Sequence, residues 1–136
     1  MEEEKNSISN GKTEGSGRNK RKLGSIWEKY AVARLREAGL KIITLNFRCR
    51  LGEIDIVARD GDYLVFTEVK CRKSRAAGNP LEAVNAFKQR TIRKVAAFFL
   101  LRYGLKQDTP CRFDVYGIEA DARGRVLREY WVRDAF

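Results

Sequence analysis

Within residues 52–70, GEIDIVARDGDYLVFTEVK, four side chains have the types and spacing to do chemistry: Glu53, Asp55, Glu68 and Lys70. Two short alternating runs flank Asp60-Gly61, an Asp-Gly signal for a tight hairpin. A turn symmetric about that pair sets Glu53 opposite Glu68 and Asp55 opposite Phe66. Odd positions of the first run then share a face with even positions of the second. That face carries Glu53, Asp55, Glu68 and Lys70, and the other carries Ile54, Ile56, Val65, Thr67 and Val69. Directly opposed like charges cost roughly 0.2–1 kcal/mol unless a cation lies between them. Oxygen donors at this density suit a hard ion, Mg²⁺ or Mn²⁺. Such an ion polarises a phosphoryl group and acidifies water, and a neighbouring lysine can stabilise developing charge. A solvated hairpin face with mixed charges accounts for the same pattern.

The elements around the hairpin bear on that choice. Residues 23–38 read as a helix closed by Gly39, in which Glu28 shares a row with Ala31, Val32 and Leu35. A carboxylate in an apolar row is costly unless a cation or water meets it. A second helix is expected to open at Asn79-Pro80-Leu81-Glu82, as N-cap, N1 and N3, and to run to about Tyr103 before Gly104. Its apolar stripe is Leu81, Val84, Phe87, Thr91, Ile92, Val95, Phe98 and Phe99. Lys88 falls near the middle of that stripe, so it either snorkels past the core or reaches a site.

Strands are expected over KIITLNFRCR (41–50), IDIVA and YLVFTEV, then over RFDVYGIEA and RVLREYWVR around Ala122-Arg123-Gly124. The order is α-β-β-β-α-β-β, a single α/β domain over 23–136 with a mixed sheet. Residues 1–22 read as a flexible polar tail. Its run Arg18-Asn19-Lys20-Arg21-Lys22 suits a charged linker or a basic arm against phosphates. Gly11-Lys12-Thr13 is no phosphate loop, because position 6 is Asn and no strand precedes it.

Composition narrows the chemistry. The chain of 136 residues is 43% hydrophobic and 34% charged, with a net charge of +10, which points to polyanionic partners or to solubility alone. The longest apolar run, Val95 to Leu101, is too short to cross a bilayer, and the acidic start lacks a secretory signal. A cytoplasmic protein is expected. There is no histidine, so serine and cysteine triads that need one are excluded. Cys49, Cys71 and Cys111 form no CxxC pair, which argues against zinc and for reduced thiols. Catalysis, if present, must run on carboxylates, lysines or a metal.

Asp55, followed after twelve residues by Glu68-Val69-Lys70, resembles the PD-(D/E)xK nuclease motif. GEIDIVARD, VFTEVKCR, GNPLEAV and RFDV, in that order, resemble the YraN family of small bacterial proteins over about residues 24–118. The D…ExK spacing is weakly specific; the ordered blocks are much more so. The resemblance implies a restriction-endonuclease-like mixed sheet flanked by helices, similar to archaeal Holliday-junction resolvases. It implies Asp55 and Glu68 as ligands of Mg²⁺ or Mn²⁺, Lys70 as the catalytic lysine and Glu28 as the acid from the first helix. Glu53, in the GEID block, would assist the metal site. Asp114, in RFDV, matches with either a functional or a structural role. The departure is Trp27, where the family usually has Gly before the helix-one acid.

The implied activity is metal-dependent hydrolysis of DNA phosphodiesters, branched or structured DNA included. Arg72, Lys73, Arg75, Lys88, Arg90, Arg93 and Lys94 would hold the nucleic-acid backbone, contacts that position a strand without reading its sequence. Resolvase-like relatives commonly pair, so a homodimer is a further expectation. Two alternatives stay open: a nucleic-acid-binding protein that keeps the nuclease fold without cutting, and an interaction scaffold whose acidic hairpin is surface.

Overall fold

The computed structural model describes residues 18–73 and 84–136. Seven elements follow in the expected order: α1 (Arg18–Glu37), β1 (Lys41–Cys49), β2 (Gly52–Asp60), β3 (Tyr63–Arg72), α2 (Ala86–Arg102), β4 (Cys111–Ala120) and β5 (Val126–Val132). They build one five-stranded sheet in the order β1-β2-β3-β4-β5. Only β3 and β4 run parallel, as the intervening helix requires; the other pairs are antiparallel.

The boundaries differ in instructive places. Helix α1 begins at Arg18, upstream of the expected residue 23, so Arg18–Lys22 belongs to a helix. Helix α2 begins at Ala86, where Asn85 Oδ1 accepts the Lys88 amide at 2.9 Å. Both Asn79 and Asn85 are plausible caps by residue type; the start expected at Asn79–Glu82 lies outside the described residues. Tyr103 closes the helix, and Gly104 follows at φ +68°. Phe87, placed in the apolar stripe, is 69% exposed, while Val84 before it and Ile92 after it are buried.

The sheet separates two cores. On one side Ile92, Val95, Ala96, Phe99 and Leu100 of α2 pack on Phe47, Ile54, Val57, Phe66, Phe113 and Val115. Phe99 meets Phe47 and Phe66 edge-on, with ring centroids 5.0 and 5.6 Å apart, a favoured aromatic geometry. In the other core Ala31, Val32 and Leu35 of α1 cover Ile56, Ala58, Val65, Tyr116 and Ile118. A polar clamp adds to this: Tyr30 Oη donates to Glu129 Oε2 at 2.6 Å and Arg34 Nε to Glu129 Oε1 at 3.2 Å. Tyr116 Oη donates to the same Oε1. The clamp ties α1, which carries Glu28, to the β4–β5 side of the sheet.

The hairpin register is shifted from the expected one. Asp60 pairs with Tyr63 and Ile56 with Thr67, so the turn is Gly61-Asp62, with Gly61 at φ +61°. The shift is by two residues in the pairing, which preserves side-chain parity. Asp55 rather than Glu53 therefore comes beside Glu68. The simple alternation of β2 fails at the same point. Ile54 packs with the α2 core and Ile56 with the α1 core, although strict alternation places them together. Facing them on β1, Phe47 and Leu45 divide in the same way. Between the two lies Asn46 in the left-handed region, φ +52°. A conformation few non-glycine residues adopt thus turns both strands over at Asn46 and Asp55.

Gly52, at φ +153°, lets α2 approach the β1–β2 turn. A Cβ there would stand 3.0 Å from Thr91 Cγ2 and 3.2 Å from Val95 Cγ2. Gly52→Ala is expected to lower stability by about 1–3 kcal/mol through backbone strain and overpacking, read as a lower midpoint in urea.

Candidate active site

The ladder between β2 and β3 ends at Ile56 and Thr67, and the next residues outward are Asp55 and Glu68. Where the strands stop pairing, Asp55 Oδ2 accepts the Val69 backbone N–H at 2.8 Å. The side chain thereby replaces a ladder bond and is held in a fixed orientation. A cleft of about 460 Å³ opens there, lined by Trp27 and Glu28 of α1, Asp55 of β2, Glu68 to Cys71 of β3, then Lys73 and Lys88.

Two lysines converge on one buried carboxylate. Glu68 is 6% exposed, with its Oε2 3.4 Å from Lys70 Nζ and 3.2 Å from Lys88 Nζ. Lys88 therefore does not snorkel past the core; it projects from α2 into the cleft. Burial alone would lower its basicity, but the Glu68 carboxylate outweighs this and holds the ammonium above the ordinary lysine value. Asp55 shows the opposite stress. Burial pushes its carboxyl well above the usual range, and repulsion from Glu68, Glu28 and Glu53 adds to that, against the pull of the Val69 N–H.

Glu28 and Glu53 are joined through a residue that sequence reasoning missed. Asn46 Nδ2 donates to Glu28 Oε1 at 3.0 Å and to Glu53 Oε2 at 3.2 Å. Glu53 Oε1 also lies 3.5 Å from Arg48, and Glu53 is not part of the cleft lining. Asn46 carries no sequence signal beyond its tolerance of positive φ.

Asp114 stands apart from these residues. It is fully buried, gripped by the Arg112 guanidinium at 3.0 Å on each oxygen. It also accepts Trp131 Nε1 and the Asp134 amide at 3.0 Å each, so every partner is structural. The basic residues scatter. Lys73 lines the cleft; Arg72 is half-buried, and its Nε has no hydrogen-bond partner among the described residues. Arg90 and Lys94 are exposed on α2. Arg93 lies over the Phe113 ring at 4.8 Å and the Phe136 ring at 5.5 Å, a cation–π seat that helps hold the C-terminus. Arg75 lies outside the described residues.

No three histidine, cysteine or carboxylate side chains stand close enough among the described residues to make a ready metal site. The donors nevertheless fit a hard cation in kind: they are all oxygens, and Asp55 lies within the influence of the Glu68, Glu28 and Glu53 carboxylates. Asp55 and Glu68 are the pair that could hold one, with Glu28 across the cleft. All three cysteines are unpaired. No helix among the described residues is long and apolar enough to cross a membrane.

A five-stranded mixed sheet carrying a carboxylate–lysine cleft at the open end of a hairpin defines the class of this protein. Residues 27–118 match the uncharacterised protein family UPF0102, nearly the stretch over which the sequence blocks were compared above. The chain belongs to this family. It is similar to the UPF0102 protein of Alcanivorax borkumensis, with 43% identity over 119 residues, 88% of this chain and 94% of the relative. It is likewise similar to that of Symbiobacterium thermophilum, with 45% identity over 116 residues, 85% and 97% of the two chains. The protein of Lachnoclostridium phytofermentans shares 50% identity over 97 residues, 71% and 82%.

Proposed function

We propose that this protein is a metal-dependent endonuclease of the PD-(D/E)xK type, with a restriction-endonuclease-like fold, which hydrolyses DNA phosphodiesters, branched or structured DNA included. The observation that carries this reading is the meeting of Asp55, Glu68 and Lys70 in one cleft, the three side chains of the D…ExK pattern. Asp55 and Glu68, with Glu28 across the cleft, would hold Mg²⁺ or Mn²⁺. When bound, the ion would supply Lewis-acid stabilisation of phosphoryl charge and acidify water.

The remaining work falls to the chain's own groups. Lys70 and Lys88 place two ammonium donors beside Glu68. They can hold the scissile phosphate's oxygens and offset the charge that develops there. Lys73 at the rim, with exposed Arg90 and Lys94, offers the strand a cationic approach. Trp27 forms part of the cleft wall.

The test is incubation of the purified protein with linear, single-stranded and four-way-junction DNA in Mg²⁺, Mn²⁺ or EDTA. Cleavage is expected with either ion and none in EDTA. Lys70→Ala is expected to reduce the rate by about 10²-fold or more, while the variant still binds DNA. Binding should weaken steeply between low and moderate salt. Cleavage untouched by Lys70→Ala would overturn the site assignment. Salt-sensitive binding without cleavage in any metal would leave a nucleic-acid-binding protein that keeps the nuclease architecture.

A further inference from the structure

Asn46 touches carboxylates from two different elements at this site. Its amide nitrogen reaches Glu28 on α1 at 3.0 Å and Glu53 on β2 at 3.2 Å. It stands where β1 and β2 both change face, with Leu45 and Phe47 on either side packing into opposite cores. Its backbone is held at φ +52°, a cost that asparagine tolerates better than most residues. Strained backbone at a cluster of charged groups is a frequent mark of a site under functional constraint.

We propose that Asn46 is a positioning residue for the carboxylate centre. Its carboxamide holds Glu28 at the cleft and uses Glu53 as the second anchor. This rests on the metal-dependent reading above and gives Glu53 a role that reading lacked. A glutamate side chain has three rotatable bonds, and the Glu28 carboxylate faces others of like charge across the cleft. One N–H fixes Glu28, and the other is fixed by Glu53, which Arg48 steadies in turn at 3.5 Å. Such outer partners commonly change metal affinity by about 10–100-fold. The left-handed backbone is what brings a β1 side chain to both acids at once.

The test is calorimetric titration of the full chain with Mn²⁺ alone, without nucleic acid, across a double-mutant cycle. Asn46→Gly keeps the left-handed conformation open and removes only the carboxamide; Glu28→Gln removes the positioned charge. Each single variant is expected to bind Mn²⁺ about tenfold more weakly. The double variant should be no weaker than the worse single one, because Asn46 acts through Glu28. Thermal melts accompany the titrations, so that an unfolded variant is recognised. Asn46→Asp serves as the second variant: it keeps the shape, replaces the donor by an acceptor, and should lose as much affinity as Asn46→Gly. Additive losses, or Asn46→Gly binding like the wild type, would overturn the positioning role while leaving the metal site intact. A wild-type chain that binds no Mn²⁺ would overturn both.

Discussion

Asp55→Asn is expected to reduce DNA cleavage by about 10³-fold or more and to make the protein harder to unfold. The loss follows from the site: Asp55 is the carboxylate fixed by the Val69 N–H at the end of the ladder, and removing a member of a cooperating set costs most of what the set achieves. The gain follows from the electrostatics. In the metal-free protein, burial and three neighbouring carboxylates hold the Asp55 carboxyl well above its ordinary range. The folded state therefore binds that proton more tightly than the unfolded chain. By linkage, this contribution favours folding at low pH and is lost as pH rises from the ordinary aspartate value through the raised one. Asparagine keeps an acceptor for Val69 and carries no charge to repel. Its advantage in melting temperature should be absent below about pH 4 and grow toward neutrality, reaching about 1 kcal/mol, or a few degrees. Saturating Mg²⁺ should stabilise the wild type more than the variant. A variant that melts below the wild type at neutral pH would contradict the electrostatic account. A variant that cuts normally would contradict the catalytic one.

The architecture was legible because each element carries a local signal. Alternation marks the strands, Asp-Gly the hairpin, and Gly39 and Gly104 the helix ends. The alternation of β3 was legible even though the hairpin register was not, while that of β2 breaks at Asp55, where Ile54 and Ile56 enter opposite cores. Pairing Asp60 with Tyr63 instead of centring on Asp60-Gly61 moves every partner by two positions, and a period of two cannot detect that. The shift decides which carboxylate stands beside Glu68, and it favours Asp55. Asn46 was invisible for the opposite reason. Its role depends on a backbone inversion with no sequence periodicity of its own, joined to acids seven and eighteen residues away. Lys88 was legible as an oddity, a charge in an apolar stripe, but only the packing of α2 on the sheet separates a snorkelling lysine from one aimed at Glu68. Arg93 shows what charge alone does not reveal: its guanidinium sits over Phe113 of β4 and Phe136, the second brought to it by the C-terminal segment.

Asp114 gives the second large effect, and it separates architecture from chemistry. Asp114→Ala should destabilise the fold by about 3–5 kcal/mol, the range for breaking one side of a buried ion pair. Four donors converge on this fully buried carboxylate: two from Arg112, the Trp131 indole and the Asp134 amide. Removing it leaves Arg112, only 14% exposed, with Asp60 as its remaining partner at 2.9 Å. It also leaves the indole and the amide without their acceptor. Trp131 and Asp134 lie at the C-terminal end, so the loss should first loosen β5 and the segment after it, visible as faster amide exchange there. Asp114→Asn is the finer probe. It preserves volume and one acceptor but turns an NH₂ toward the Arg112 guanidinium, so it should still cost at least about 2 kcal/mol. Assayed well below its melting point, it should cut DNA at close to the wild-type rate, because Asp114 does not line the cleft. A catalytic Asp114 would give the opposite pair of results, normal melting with lost cleavage. Neither an unchanged cleavage rate at Asp55 nor an unchanged melt at Asp114 can occur if the cleft is the site of chemistry and the Arg112 clamp is the fold's anchor.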